Sequence, residues 1–233
     1  MVKQYIISKA TISHLKNPYI DSIDEFKTYF LETLPNNQQC EELLTNIAKS
    51  IELLKTYVNN NNSNEYLVSL FYSEIAYTLY CIKQNYPDRY FHTSLRTLIE
   101  TFLRLNTPKS ESTVVDSIFE SFKDVNRKAL ENKILLNEFF SRIKQMYSDS
   151  SGILHGSPKA NFNIVSYLSE IDSSDNMPDT LGCLQLLQDL LQMIKRFYLI
   201  SDVNLEILKH DYSRRMILVK YLLTKAETKS LLS

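Results

Sequence analysis

Residues 88–105 read DRYFHTSLRTLIETFLRL. Phe91, Leu95, Leu98, Phe102 and Leu105 step by four, three, four and three, which lays one apolar face along a 3.6-residue helix. The same pattern recurs upstream in Leu67, Phe71, Ile75, Leu79 and Ile82, and downstream in Leu184, Leu187, Leu191, Ile194 and Tyr198. Turn chemistry agrees, because 3 Gly and 6 Pro in 233 residues are too few for the tight turns of a β-sandwich or barrel. The expected fold is all-α, an antiparallel multi-helix bundle. Helices are predicted near residues 21–34, 38–58, 65–85, 88–106, 111–124, 130–155, 163–171, 180–201 and 212–230. The first dozen residues, with Tyr5, Ile6 and Ile7, are expected to form a short strand or extended arm.

Punctuation sets the boundaries. Asn59–Asn64 is a polar loop, Pro87 with Asp88 marks a helix start, Thr107 and Pro108 a stop, and DSSDNMP at 172–178 an acidic loop. The expected organisation is an arm and helical hairpin over 1–64, packed on a bundle over 65–233, together making one compact domain.

Composition narrows the function classes. Hydrophobic residues at 44% and charged residues at 23% match an ordinary globular chain. The net charge of -1 and pI near 6.4 argue against a protein that coats nucleic acid through a general positive field. Cys40, Cys81 and Cys183 form no CxxC pair, so neither a zinc ribbon nor a disulfide framework is expected. His14, His92 and His210 have no metal-ligand spacing, and no metal or cofactor is expected. No GxxxxGK[ST], GxGxxG or GxSxG occurs, which removes P-loop, Rossmann and α/β-hydrolase chemistry. No apolar run reaches membrane-spanning length, and MVKQYIISKATISHLKN lacks a signal-peptide layout. A cytoplasmic protein that makes no membrane contact is the expectation.

Two of the three glycines, Gly152 and Gly156, bracket His155 in YSDSSGILHGSP. Gly156 suits a helix C-cap with Pro158 following, so a helix is expected to end by presenting His155. Ser151 lies four residues before His155 and Tyr147 four before that, all on one helical face. On the 88–105 helix, Arg96 and Glu100 are also four apart, beside Ile99 and Leu103 at the margin of the apolar face, where half-burial is expected. Arg104, Thr97 and Thr101 are expected on the polar side. Both pairs have structural readings as well, His155 as a partner of its own helix dipole and Glu100 as a neutraliser of Arg96.

A helix carrying R-T-L-I-E, a long spacer and a later helix ending Y-x-x-x-S-x-x-x-H-G resembles the HEPN superfamily, the higher eukaryotes and prokaryotes nucleotide-binding domains. The resemblance covers roughly residues 65–200 and is strongest to the divergent phage-defence and abortive-infection branches. It implies an up-and-down helical bundle, a homodimer with facing motif helices, and metal-independent cleavage of RNA. His155 matches the His of that family's Arg-then-His signature. The usual Arg is missing, since residues 148–150 are Ser148, Asp149 and Ser150.

Metal-free RNA cleavage needs a group of near-neutral pKa to move the 2′-hydroxyl proton and a fixed cation to offset charge on the phosphate. On the leading reading, His155 is the general acid or base, Arg96 the cation, Glu100 its orienting carboxylate and Ser151 a hydrogen-bonding helper, in a bacterial defence or toxin-like protein. RNA and an antitoxin-like protein are then the expected partners. The alternative is a non-catalytic interaction or regulatory module whose Arg, Glu, Ser and His hold helices in register.

Lys123, Arg127, Lys128 and Lys133, and separately Lys209, His210, Arg214 and Arg215, are basic stretches for phosphate, with Tyr147 or Tyr212 available for base stacking. Lys159, just beyond the His155 turn, joins Lys123, Arg127 and Lys128 as a nucleic-acid candidate. Interleaved Asp124, Glu131 and Asp211 favour ordinary solvated faces. The 15 Tyr and 11 Phe suit either a core of large residues or a dimer seam.

Overall fold

The computed structural model describes residues 9–61, 64–86, 88–107, 115–126, 134–155, 179–200 and 222. Among them helices are the regular elements and no strand occurs, with α1 over Lys9–Leu31, α2 over Gln38–Asn61, α3 over Glu65–Lys83, α4 over Asp88–Leu105, α5 over Val115–Val125, α6 over Ile134–His155 and α7 over Thr180–Ile200. The three apolar stripes read from sequence are buried as expected: all five stripe residues of α4, all five of α7, and Phe71, Ile75, Leu79 and Ile82 of α3.

The amino-terminal expectation is corrected. α1 is already helical at Lys9, so residues 9–12 are neither strand nor extended arm. Ile12, Leu15, Tyr19 and Ile23 continue a three-and-four spacing back through Pro18, and that periodicity outweighs the extended preference of the isoleucines before it. Tyr5, Ile6 and Ile7 lie outside the described residues, as do the helices expected over 163–171 and nearly all of 212–230.

Helix ends are set by short polar side chains. Asn37 Oδ1 accepts from Cys40 N at 2.9 Å, Asn64 Oδ1 from Leu67 N at 3.1 Å, and Asp179 Oδ1 from Leu181 N at 3.2 Å, each satisfying an amide that the first helical turn leaves unpaired. α3 ends in a Schellman motif: Tyr86 N donates to Cys81 O at 3.0 Å and Asn85 N to Ile82 O at 3.1 Å. Asn85 takes the left-handed conformation this needs, with φ 52°.

The chain divides into two compact units, Met1–Asn61 with Lys195–Ser233, and Asn62–Ile194. In the first, α1 packs on α2, Ile23, Phe30, Leu44 and Ile47 are buried, and Ser22 donates to Glu52 across the pair at 3.0 Å. In the second, α4 is central and packs on α3, α5 and α6. Thr78 and Ser94 share a buried hydrogen bond between α3 and α4. The α4–α6 pairings, His92 with Ser150, Glu100 with Tyr147 and Phe102 with Phe139, run in opposite numerical order, so these helices are antiparallel.

Phe122 of α5 completes that core. Its ring lies 5.8 Å from Phe102 and stacks on Phe140 at 6.3 Å and 10°. Thr101 departs from expectation by being buried rather than on the polar side, and its hydroxyl is satisfied by Thr97 O at 2.9 Å.

Candidate functional site

The candidate residues sit on the antiparallel pair α4 and α6. Arg96 and Glu100, one turn apart on α4, meet Tyr147 of α6. Arg96 Nε donates to Glu100 Oε1 at 3.1 Å, and the Tyr147 hydroxyl donates to the same oxygen at 2.9 Å. The guanidinium carbon lies 5.0 Å from the Tyr147 ring centroid, within cation–π range. Phe119 of α5 packs edge-on against that ring at 5.2 Å, so three helices converge on Tyr147. The Arg96 and Glu100 side chains are 27% and 20% exposed, the half-burial that their place at the apolar margin predicts.

Burial by itself lowers the Arg96 pKa, but hydrogen bonds to Glu100 and Tyr147 outweigh it and hold the group above its ordinary value. Tyr147 is pushed up to about 12, first by burial and then by the Glu100 carboxylate, with Arg96 opposing. At neutral pH Arg96 is therefore a cation and Tyr147 a neutral phenol.

Ser151 is half-buried, and its Oγ is shut away from solvent with no hydrogen-bond partner among the described residues. His155 closes α6, where sequence expects the helix to end, and its side chain lies outside the described residues. From Tyr147 to His155 a helix advances about 12 Å. Because α4 runs the opposite way, the structure places the Arg96 guanidinium with Tyr147, about two turns from the His155 backbone. Arg96 and Glu100 are thus brought together, and Tyr147 joins them.

Of the nucleic-acid candidates, Lys123 is exposed on α5. Arg127, Lys128 and Lys159 lie outside the described residues, as do Lys133, Lys209, His210, Arg214 and Arg215. Among the described residues, no group of three His, Cys, Asp or Glu could hold a metal ion, and no helix is long and apolar enough to cross a membrane.

Two contacts escape a reading by sequence alone. Tyr147 pairs with a carboxylate 47 positions away, and His92 Nδ1 lies 3.2 Å from Ser150 Oγ, 58 positions away. A weak signal existed for the second, since His92 sits one turn before Arg96 on the same helix.

No protein-family model matches the chain, and no curated protein or solved structure matches it.

Proposed function

We propose that this chain is a non-catalytic helical interaction or regulatory module, and that Arg96, Glu100 and Tyr147 serve its structure. The observation that carries this reading is the double use of Glu100 Oε1, which accepts from both Arg96 and Tyr147. A cation that offsets charge on a reacting phosphate must be available to it. Here the guanidinium is neutralised by a carboxylate and covered by a phenol ring. Exposed Tyr77, Tyr80 and Tyr90 add support, because rigid amphipathic tyrosines are enriched at protein interfaces.

A second reading, a metal-independent endoribonuclease of HEPN type in a bacterial defence or toxin-like system, is favoured by Ser151. Its hydroxyl, with no partner among the described residues, lies one turn before His155 on the same helix. One experiment separates the two. Purified protein and a His155→Ala variant are incubated with total RNA in excess chelator, and intact RNA in both is expected. Cleavage by the parent that His155→Ala abolishes overturns the module reading and installs the second.

A further inference from the structure

The α4–α6 seam holds a titratable group that neither reading uses. His92 is 8% exposed and Ser150 2%. The imidazole Nδ1 and the serine Oγ are 3.2 Å apart, and the Phe91 ring lies edge-on to the imidazole at 5.1 Å. A neutral ring suits this setting, because a buried charge without a partner is costly.

The charged neighbours are unevenly placed. On α4, Asp88 is exposed one turn before His92, while Arg96 one turn after is engaged by Glu100 and Tyr147. On α6, Asp149 is exposed and accepts from Gln145 at 2.7 Å. At the start of α7, Cys183 lies near both Asp88 and Asp179. Among the described residues, Asp88 is the group that favours charge on the imidazole. The ring therefore has a dry seat suited to its neutral form and, one turn away, a wet carboxylate suited to its charged form.

We propose that the His92–Ser150 contact is a pH-sensitive latch: the neutral imidazole seats the last turns of α6 on α4, and the protonated imidazole leaves for Asp88 and water, freeing them. Those turns carry Ser151 and end at His155. Burial holds the His92 pKa below the ordinary histidine value, and Asp88 offsets part of that effect. A depressed folded-state pKa means that the latch contributes fully above the unfolded value of about 6.5 and loses its contribution as pH falls through the folded value.

The test is amide exchange on the full chain from about pH 7.5 down to about pH 5, corrected for intrinsic exchange. In the parent, protection over residues 147–155 is expected to fall several-fold relative to α3. His92→Asn, whose amide replaces Nδ1 without titrating, is expected to show no such differential loss. Asp88→Asn is expected to move the loss to lower pH. A loss uniform across all helices, or an equal loss in His92→Asn, overturns the latch. Should His92→Asn fail to fold, the His92 ring resonance in the parent decides. A midpoint below the ordinary range that coincides with the α6 loss supports the latch, and one at or above that range overturns it.

Discussion

Replacing Tyr147 with Phe deletes one hydroxyl and leaves the ring between Arg96 and Phe119. What is lost is the 2.9 Å hydrogen bond to Glu100 Oε1. Such a bond to a charged group contributes about 1.5–3 kcal/mol when shielded from water. Glu100 is 20% exposed, so water replaces part of it and a loss of about 1 kcal/mol is expected. In a chain of this length that lowers the melting temperature by about 2–4 °C. Urea denaturation followed by helical circular dichroism measures the change directly. A double-mutant cycle with Glu100→Ala, which removes the acceptor, isolates the pair and is expected to return a coupling of about 1 kcal/mol. If Tyr147→Phe melts with the parent, or if the two changes simply add, then Tyr147 and Glu100 do not tie α4 to α6, and the structural role given to the cluster fails.

Alkaline titration probes the same phenol. With its folded pKa at about 12 against about 10 when unfolded, Tyr147 contributes stability that is full below pH 10 and lost as pH rises towards 12. Because the site is half-buried and screened by water, the contribution is about 1 kcal/mol. Tyr147→Phe should therefore lose less stability than the parent over that interval in parallel melts. Phe122→Ala, at a ring with no exposure packed among Phe102, Phe139 and Phe140, should cost about 3–5 kcal/mol by denaturant unfolding. At Asn85, whose φ is 52°, Gly should be neutral to slightly stabilising and Val should cost about 1–2 kcal/mol in the same assay.

Local pattern explains what sequence revealed. The stripe from Phe91 to Leu105 encodes its helix and buried face in consecutive residues, and the Arg96–Glu100 pair is a one-turn relation that any helix imposes. Pairing between helices has no such local record. Nothing within YSDSS says that Tyr147 faces Glu100, or that Ser150 rather than Ser151 finds an imidazole, because that depends on how far α6 slides along α4. A slide of one turn, about 5.4 Å, would give Tyr147 a different partner. The early start of α1 was hidden for another reason. Isoleucines near the amino terminus speak for strand by propensity, whereas the helix continues on spacing alone.

The thiols offer a last consequence. Cys40, Cys81 and Cys183 are free and buried. Burial raises all three, joined by Glu41 at Cys40 and by Asp88 and Asp179 at Cys183, which reaches about 12. Since the thiolate is the nucleophile, a maleimide or iodoacetamide pulse finds these sulfurs only after the surrounding helices part. Cys40 belongs to the unit that holds α1 and α2, and Cys81 on α3 and Cys183 on α7 belong to the Asn62–Ile194 unit. Mass spectrometry of alkylated peptides would thus time-stamp the opening of each unit in the native chain, without an engineered probe.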